Sequence, residues 1–276
     1  MTKLIPDWAI YLLALAAVLI GIFGTSPDQS APPPPPEVFA QEGAMLPPAS
    51  PFDERVLVQV TQPMDGVGTA FAINEDGQWL TARHVVDGCD RVSLLVAPNR
   101  YVPVQSVSLS DNFDLALLQT GSSRNPVALD TNSDLRIGTY GYHVGYPQGR
   151  PGEVVSRLYD RSNLETRGLR SGRESVLTWA ETGRTRGLSG TLGGLSGGPV
   201  YDSNGRVRGV VIAESPRRGR IYTASPETVA RFLREEGVTV VGDRPQSFEP
   251  ASYGRNADEV RRNLQVVKVA CDVREQ

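Results

Sequence analysis

From Arg55 onward the apolar residues fall into short runs separated by Gly, Asn, Asp and Pro. That pattern predicts many short strands, as in an all-β sandwich or barrel. The first group of runs covers 56–60, 69–73, 79–82, 92–96, 102–107 and 115–119, enough strands for one small barrel. After a break near Asp130 a second group covers 140–144, 153–158, 175–178, 200–201, 207–213 and 220–224, a second barrel of similar size. Ser203-Asn204-Gly205 between two apolar runs reads as a hairpin turn. One helix is announced by Ser225-Pro226-Glu227-Thr228, with Ser as N-cap and Pro at the first helical position; Val229, Phe232 and Leu233 give it an apolar face and Gly237 ends it. A shorter helix is expected near 258–264, and the apolar run 266–270 is expected to add a strand that carries Cys271 back to the barrel.

The N-terminal part has a different character. Residues 8–24 form an uncharged apolar stretch of seventeen residues, at the short end of what spans a bilayer as a helix. Lys3 precedes it and no Lys or Arg follows until Arg55, so the positive-inside rule puts the bulk of the chain outside the cytoplasm. An uncleaved anchor is the preferred reading because Thr25-Ser26-Pro27-Asp28 offers no small-x-small cleavage site; a cleaved signal peptide and a buried core helix are the competing ones. Residues 25–51 are rich in Pro, with an unbroken run at 32–36, and read as a linker, either a semi-rigid polyproline spacer or a disordered one. The expected organisation is therefore an N-terminus and anchor at 1–24, a linker at 25–51, a folded β-domain at 52–243 and a tail at 244–276 that packs on it.

Composition narrows the possible partners. With Lys+Arg 28 against Asp+Glu 31, the net charge of -3 gives no reason to expect nucleic acid. Two His and two distant Cys make no metal-ligand cluster, so no metal and no cofactor are expected. In an oxidising compartment Cys89 and Cys271 would pair; otherwise each is a buried thiol acting as a small hydrophobe.

The candidate chemistry lies in three short segments. Gly194-Leu195-Ser196-Gly197-Gly198-Pro199 places a serine among glycines, whose backbone freedom allows amide N–H groups to be aimed inward. A serine hydroxyl needs a base to take its proton and fixed donors for the oxyanion that its attack creates. Ser196 is the candidate nucleophile, and the amides of Gly194 and Ser196 are the candidate oxyanion donors. Leu80-Thr81-Ala82-Arg83-His84-Val85-Val86 puts His84 just after an apolar strand, as a candidate general base, whereas His143 in Gly141-Tyr142-His143-Val144-Gly145 reads as a strand residue with a satisfied ring. Asp114 precedes the apolar run Leu115-Ala116-Leu117-Leu118 and is the candidate to orient His84; its neighbour Asp111 reads as a turn residue.

The order His, Asp, Ser with LTARHVV, DLALL and GLSGGPV resembles the trypsin/chymotrypsin superfamily, most closely its bacterial high-temperature-requirement branch. Gly66-Val67-Gly68-Thr69-Ala70-Phe71 and Gly145-Tyr146-Pro147-Gln148-Gly149 extend the match. The resemblance implies two six-stranded antiparallel barrels with the site in the cleft between them, and hydrolysis of protein or peptide substrates through an acyl-enzyme. With the anchor, it implies a bacterial inner-membrane protein whose protease domain faces the periplasm. Leu195 stands where the animal digestive enzymes carry an acid that pairs with a newly made N-terminus, so activation by that salt bridge is not implied. The 35 residues after Val241 are too few for a PDZ domain, and no feature assigns an oligomeric state.

By resemblance, Val211, Ile212, Ala213, Glu214 and Ser215 form the strand that pairs with substrate, while Gly190 and residues 222–224 shape the pocket for the side chain before the scissile bond. No acid is expected at the pocket floor, which favours a small or medium apolar residue there, with Glu214 able to upset that inference. The stretch 157–186 carries seven arginines among four acids and reads as a solvated variable loop or a mobile loop bordering the site. The alternative to an enzyme is a membrane-tethered binding module that keeps the fold without turnover.

Overall fold

The structure is a computed structural model that describes residues 43–60, 64–168, 171–240 and 245–274. The expected membrane anchor at 8–24 and the proline run at 32–36 lie outside the described residues, and among those described no helix is long and apolar enough to cross a membrane.

The described residues form two seven-stranded sheets, each curled like a barrel. The first contains β2 (Gly66–Ala72), β3 (Gln78–Thr81), β4 (Arg91–Ala97), β5 (Arg100–Pro103), β6 (Ser106–Leu109), β7 (Ala116–Gln119) and β14 (Val266–Asp272), in the order β5-β4-β14-β2-β3-β7-β6. The second contains β1 (Glu54–Val60), β8 (Tyr140–Gly145), β9 (Gly152–Gly168), β10 (Gly172–Arg184), β11 (Pro199–Tyr201), β12 (Val207–Ser215) and β13 (Arg220–Ala224). Its order is β1-β9-β10-β13-β12-β11-β8, and β8 also pairs with β9, so the six strands β8 to β13 close on themselves and β1 lies outside the ring.

This corrects the expectation of two six-stranded, wholly antiparallel barrels. The run 56–60 does not enter the first barrel; it lies parallel to β9, from Glu54 opposite Ser162 to Val60 opposite Gly168. The physical reason is the segment that delivers it. Gly43 and Leu46 donate backbone hydrogen bonds to Ile137 and Leu135, Leu46 is buried in the second core, and Asn163 Nδ2 donates to the Ser50 carbonyl at 2.9 Å. The end of the expected linker is thereby docked on the second barrel, and β1 follows along β9. Its place in the first sheet is taken by β14, which inserts between β4 and β2 and pairs antiparallel with both. The described part of the stretch 157–186 is likewise no loop. Most of it lies in β9 and β10, which pair antiparallel; there Arg157 stacks over the Tyr140 ring at 3.6 Å and the buried Arg161 pairs with Glu227 at 3.0 Å.

Cys89 and Cys271 are joined by a disulfide, with Cα atoms 5.4 Å apart, which ties β14 to the connection before β4. Besides the short α1 (Arg83–Val86), two helices among the described residues flank the sheets. In α2 (Pro226–Glu235) the Ser225 hydroxyl accepts the Thr228 N–H as the sequence predicts, and Gly237 follows at φ 66°. Its apolar residues Val229, Phe232 and Leu233 are buried. The tail helix α3 (Tyr253–Arg262) begins earlier than the expected 258, because Tyr253, Ala257 and Val260 form one buried stripe at helical spacing. The same buried face carries Arg261, whose guanidinium meets Glu153 at 2.7 Å and Asp258 at 2.6 Å; a buried ion of this kind is tolerable only when paired.

Candidate active site

His84 sits in α1, which starts two residues after β3. Arg83 fastens this turn, pairing with Asp87 at 2.7 Å and donating to the Ser110 carbonyl. Ser110 in turn organises the bend that presents Asp114: its hydroxyl accepts the N–H groups of Asn112 and Phe113, and its own N–H donates to the Leu115 carbonyl. The Asp114 carboxylate holds His84 twice. Its Oδ2 lies 2.6 Å from His84 Nδ1, and its Oδ1 accepts the His84 backbone N–H at 2.9 Å. Asp111 is exposed, while the Asp114 side chain keeps 16% of its surface exposed, and it is the Asp114 carboxylate that meets the His84 ring.

Burial pulls the pKa of His84 down, but the charge of Asp114, its hydrogen bond and the charge of Glu174 outweigh that effect, leaving it raised above 6.5. Glu174, on β10, also accepts the Asp114 backbone N–H at 3.2 Å. It was not singled out from sequence, where it is one acid among many arginines. His143, by contrast, is fully buried in β8, with Nε2 2.7 Å from the Ser156 hydroxyl and its ring edge-on to Trp179. Desolvation pushes its pKa down to about 3, so it stays neutral; among the described residues its Nδ1 has no partner, so its ring is only half satisfied.

The serine turn is built into the opposite barrel and tied to the first one. Leu195 is fully buried in the second core, the N–H of Gly197 donates to the Val211 carbonyl, and the Ser196 carbonyl accepts the N–H of Thr69 on β2 at 2.9 Å. Gly197, at φ 83°, must be glycine, because a Cβ there would lie 2.1 Å from the Thr69 carbonyl and 2.2 Å from the Thr81 hydroxyl. Residue 197 therefore packs against 81–82, two residues before His84. Among the described residues the Ser196 hydroxyl makes no hydrogen bond to the His84 ring.

Around Ser196 the amides of Gly193, Leu195, Gly197 and Gly198 all donate within the protein. Among the described residues those of Gly194 and Ser196 do not. The two amides that the sequence nominates for an oxyanion are thus the two left open, an arrangement able to stabilise developing negative charge.

Beside Ser196 lies a small pocket of about 220 Å³, counting its open mouth, lined by Leu192, Gly193, Leu195, Val211, Ala213, Glu214 and Ile221. Val211, Ala213 and Glu214, expected on a strand that pairs with substrate, line this pocket instead of the expected Gly190. Ile212 is buried away from the pocket, Ser215 pairs with Arg220 at the end of β12, and Gly190 lies outside the lining. Ile221 takes the wall expected from 222–224, because side chains alternate along a strand. Glu214 crosses the pocket to accept the Leu192 N–H at 2.7 Å and the Thr191 hydroxyl; its other oxygen is buried without a partner among the described residues.

A family model for the trypsin-like peptidase domain matches residues 68–210. Over 194 residues the chain is 27% identical to the periplasmic pH-dependent serine endoprotease DegQ of Escherichia coli, covering 67% of this chain and 40% of that protein. It is 26% identical over 165 residues to a probable periplasmic serine endoprotease DegP-like of Hahella chejuensis, covering 59% of this chain and 32% of that one. The chain thus spans well under half the length of these relatives. Among solved structures, the active form of the Rv3671c protease from M. tuberculosis superposes with a TM-score of 0.52 at 19% identity, covering 76% of this chain and all of that one, a likeness of fold.

Proposed function

This chain belongs to the trypsin-like peptidase domain family, and on that premise we propose that it is a serine endopeptidase acting on proteins outside the cytoplasm. Ser196 attacks the peptide carbonyl, His84 takes its proton and later gives it to the leaving amine, Asp114 orients His84, and the amides of Gly194 and Ser196 bind the oxyanion. An acyl-enzyme on Ser196 is then hydrolysed by water. The observation that carries this reading is the Asp114–His84 pair, next to which Gly197 of the serine turn packs on Ala82, together with the two amides of that turn that have no partner among the described residues. The relatives named as periplasmic proteases support the location, as do the apolar stretch 8–24 and the charge asymmetry around it, which we read as a membrane anchor.

The missing Ser196–His84 hydrogen bond favours the competing reading, a binding module without turnover. Catalytic hydrogen bonds are often long without substrate and tighten when it binds, so the endopeptidase reading stands. Incubating the full-length protein with a fluorophosphonate probe decides between them. Labelling of the wild type that disappears in Ser196→Ala supports the proposal; a folded wild type that neither labels nor cleaves peptides refutes it.

The pocket implies a small residue before the scissile bond. Glu214 closes off space that a longer side chain needs, and its partnerless oxygen repels an acidic one. Glu214→Ala is expected to raise cleavage after leucine relative to alanine by about tenfold or more, the size of effect that one or two methylenes have in an apolar pocket. Peptide-library profiling reads this directly, and an unchanged profile removes Glu214 from specificity.

A further inference from the structure

We propose that Gln148 is a positioning residue for the oxyanion donors, clamping the 189–193 loop so that the Gly194 N–H is held open toward substrate. The proposal rests on the assignment of Ser196 as nucleophile and adds a part that this assignment does not contain.

Gln148 follows Pro147 in the tight turn Pro147–Gly149 and adopts φ 54°, the left-handed region that residues other than glycine rarely occupy. That conformation turns its main chain and its side chain onto the same loop. Its backbone N–H donates to the Gly193 carbonyl, and its Nε2 donates to the carbonyls of Ser189 at 2.7 Å and Thr191 at 2.9 Å. Alternate carbonyls of the loop are thus gathered on one residue. A side-chain amide suits the task because a single NH₂ group supplies two donors.

The consequence for Gly194 follows from peptide geometry. In a trans peptide the C=O and the following N–H point in opposite directions, and no peptide among the described residues is cis. With the Gly193 carbonyl fixed on Gln148, the Gly194 N–H faces away from that loop. The next peptide is held from the other side, where the Thr69 hydroxyl donates to the Gly194 carbonyl at 2.7 Å and accepts the Tyr146 N–H at 3.1 Å. Rotation of the Gly193–Gly194 peptide would exchange a donor for a carbonyl at the place where negative charge develops, removing the stabilisation and adding repulsion. The clamp itself is anchored, since Arg261 from α3 donates to the carbonyls of Gly145 and Gly152, the two ends of the loop that carries Gln148.

Two variants of the full-length protein test this. Gln148→Gly suits the positive φ and keeps the backbone N–H but loses both side-chain bonds; Gln148→Glu keeps the shape but presents an acceptor to the same carbonyls. Both are expected to lower kcat about tenfold or more, below the full loss of an oxyanion donor, with KM within about twofold. Affinity for a peptide boronate, whose adduct with serine fills the oxyanion position, falls in parallel. Amide hydrogen exchange across 189–195 speeds up in both variants. Unchanged kcat, a loss confined to KM, or unchanged exchange overturns the clamp. A wild type that the fluorophosphonate probe does not label overturns the functional reading instead, and the exchange comparison, which needs no turnover, then decides the clamp alone.

Discussion

Asp114→Asn is expected to lower kcat by about 10⁴-fold while leaving the fold intact, which corresponds to about 5 kcal/mol of transition-state stabilisation. The two Asp114 oxygens have separate tasks, one accepting the His84 backbone N–H and the other facing Nδ1. An asparagine keeps the first by leaving its oxygen there, and then presents NH₂ to the ring. A donor in that position demands a lone pair on Nδ1 and so moves the ring proton to Nε2, the nitrogen that must be empty to accept the serine proton. The pH dependence follows from the same pair. Because the His84 pKa is raised above 6.5, the neutral, competent ring accumulates only above that pH, so the ascending limb of wild-type kcat/KM lies above 6.5. Removing the Asp114 charge removes a contribution that raises the pKa, so the limb of the residual activity moves to lower pH. A variant within tenfold of wild-type kcat, or a limb that does not move, would remove Asp114 from the mechanism.

The largest expected effect on stability comes from the disulfide. Cys89 and Cys271 are 182 residues apart, and on the chain-entropy model closing a loop of that length stabilises the folded state by about 5 kcal/mol. For a domain of this size the double variant Cys89→Ser/Cys271→Ser is expected to melt roughly 10–20 °C lower than the wild type. Native-like secondary structure should persist, since β14 is hydrogen-bonded to both β2 and β4 without the bridge. Calorimetry under non-reducing conditions reads the difference, and a shift of less than about 3 °C would mean that strand pairing alone holds the tail. The bridge also bears on the site, because β14 pairs Lys268 with Thr69, the residue that grips the carbonyls of Gly194 and Ser196.

The features legible in the sequence are those whose cause lies within a few residues. The glycines around Ser196 stand out through their own backbone freedom, although the atoms that crowd Gly197 belong to Thr69 and Thr81 on the other barrel. Ser225 and Pro226 start a helix through their own hydroxyl and fixed φ. The Asp202–Gly205 turn closes on itself, with the Asp202 carboxylate accepting the N–H groups of Asn204 and Arg206. Asp114 differs from Asp111 in sequence by the apolar run it precedes, which is buried and holds the residue at its edge against His84.

What the tertiary structure alone decided depends on partners in other strands and loops, from seventeen to more than a hundred residues away, or on a backbone angle that no pattern encodes. An apolar run such as 56–60 satisfies either sheet equally; the docking of 43–51 on the second barrel chose for it. The arginines of 157–186 look solvated in one dimension, yet Arg157 finds an aromatic face and Arg161 finds Glu227 once the hairpin is folded. Gln148 carries no signal as a residue type, since its role comes from a left-handed turn and three carbonyls supplied by another loop. Sequence thus fixes which groups can do chemistry, because reactivity belongs to residue types. Only the fold fixes which groups aim them, because orientation is set by hydrogen bonds between segments that the chain brings together last.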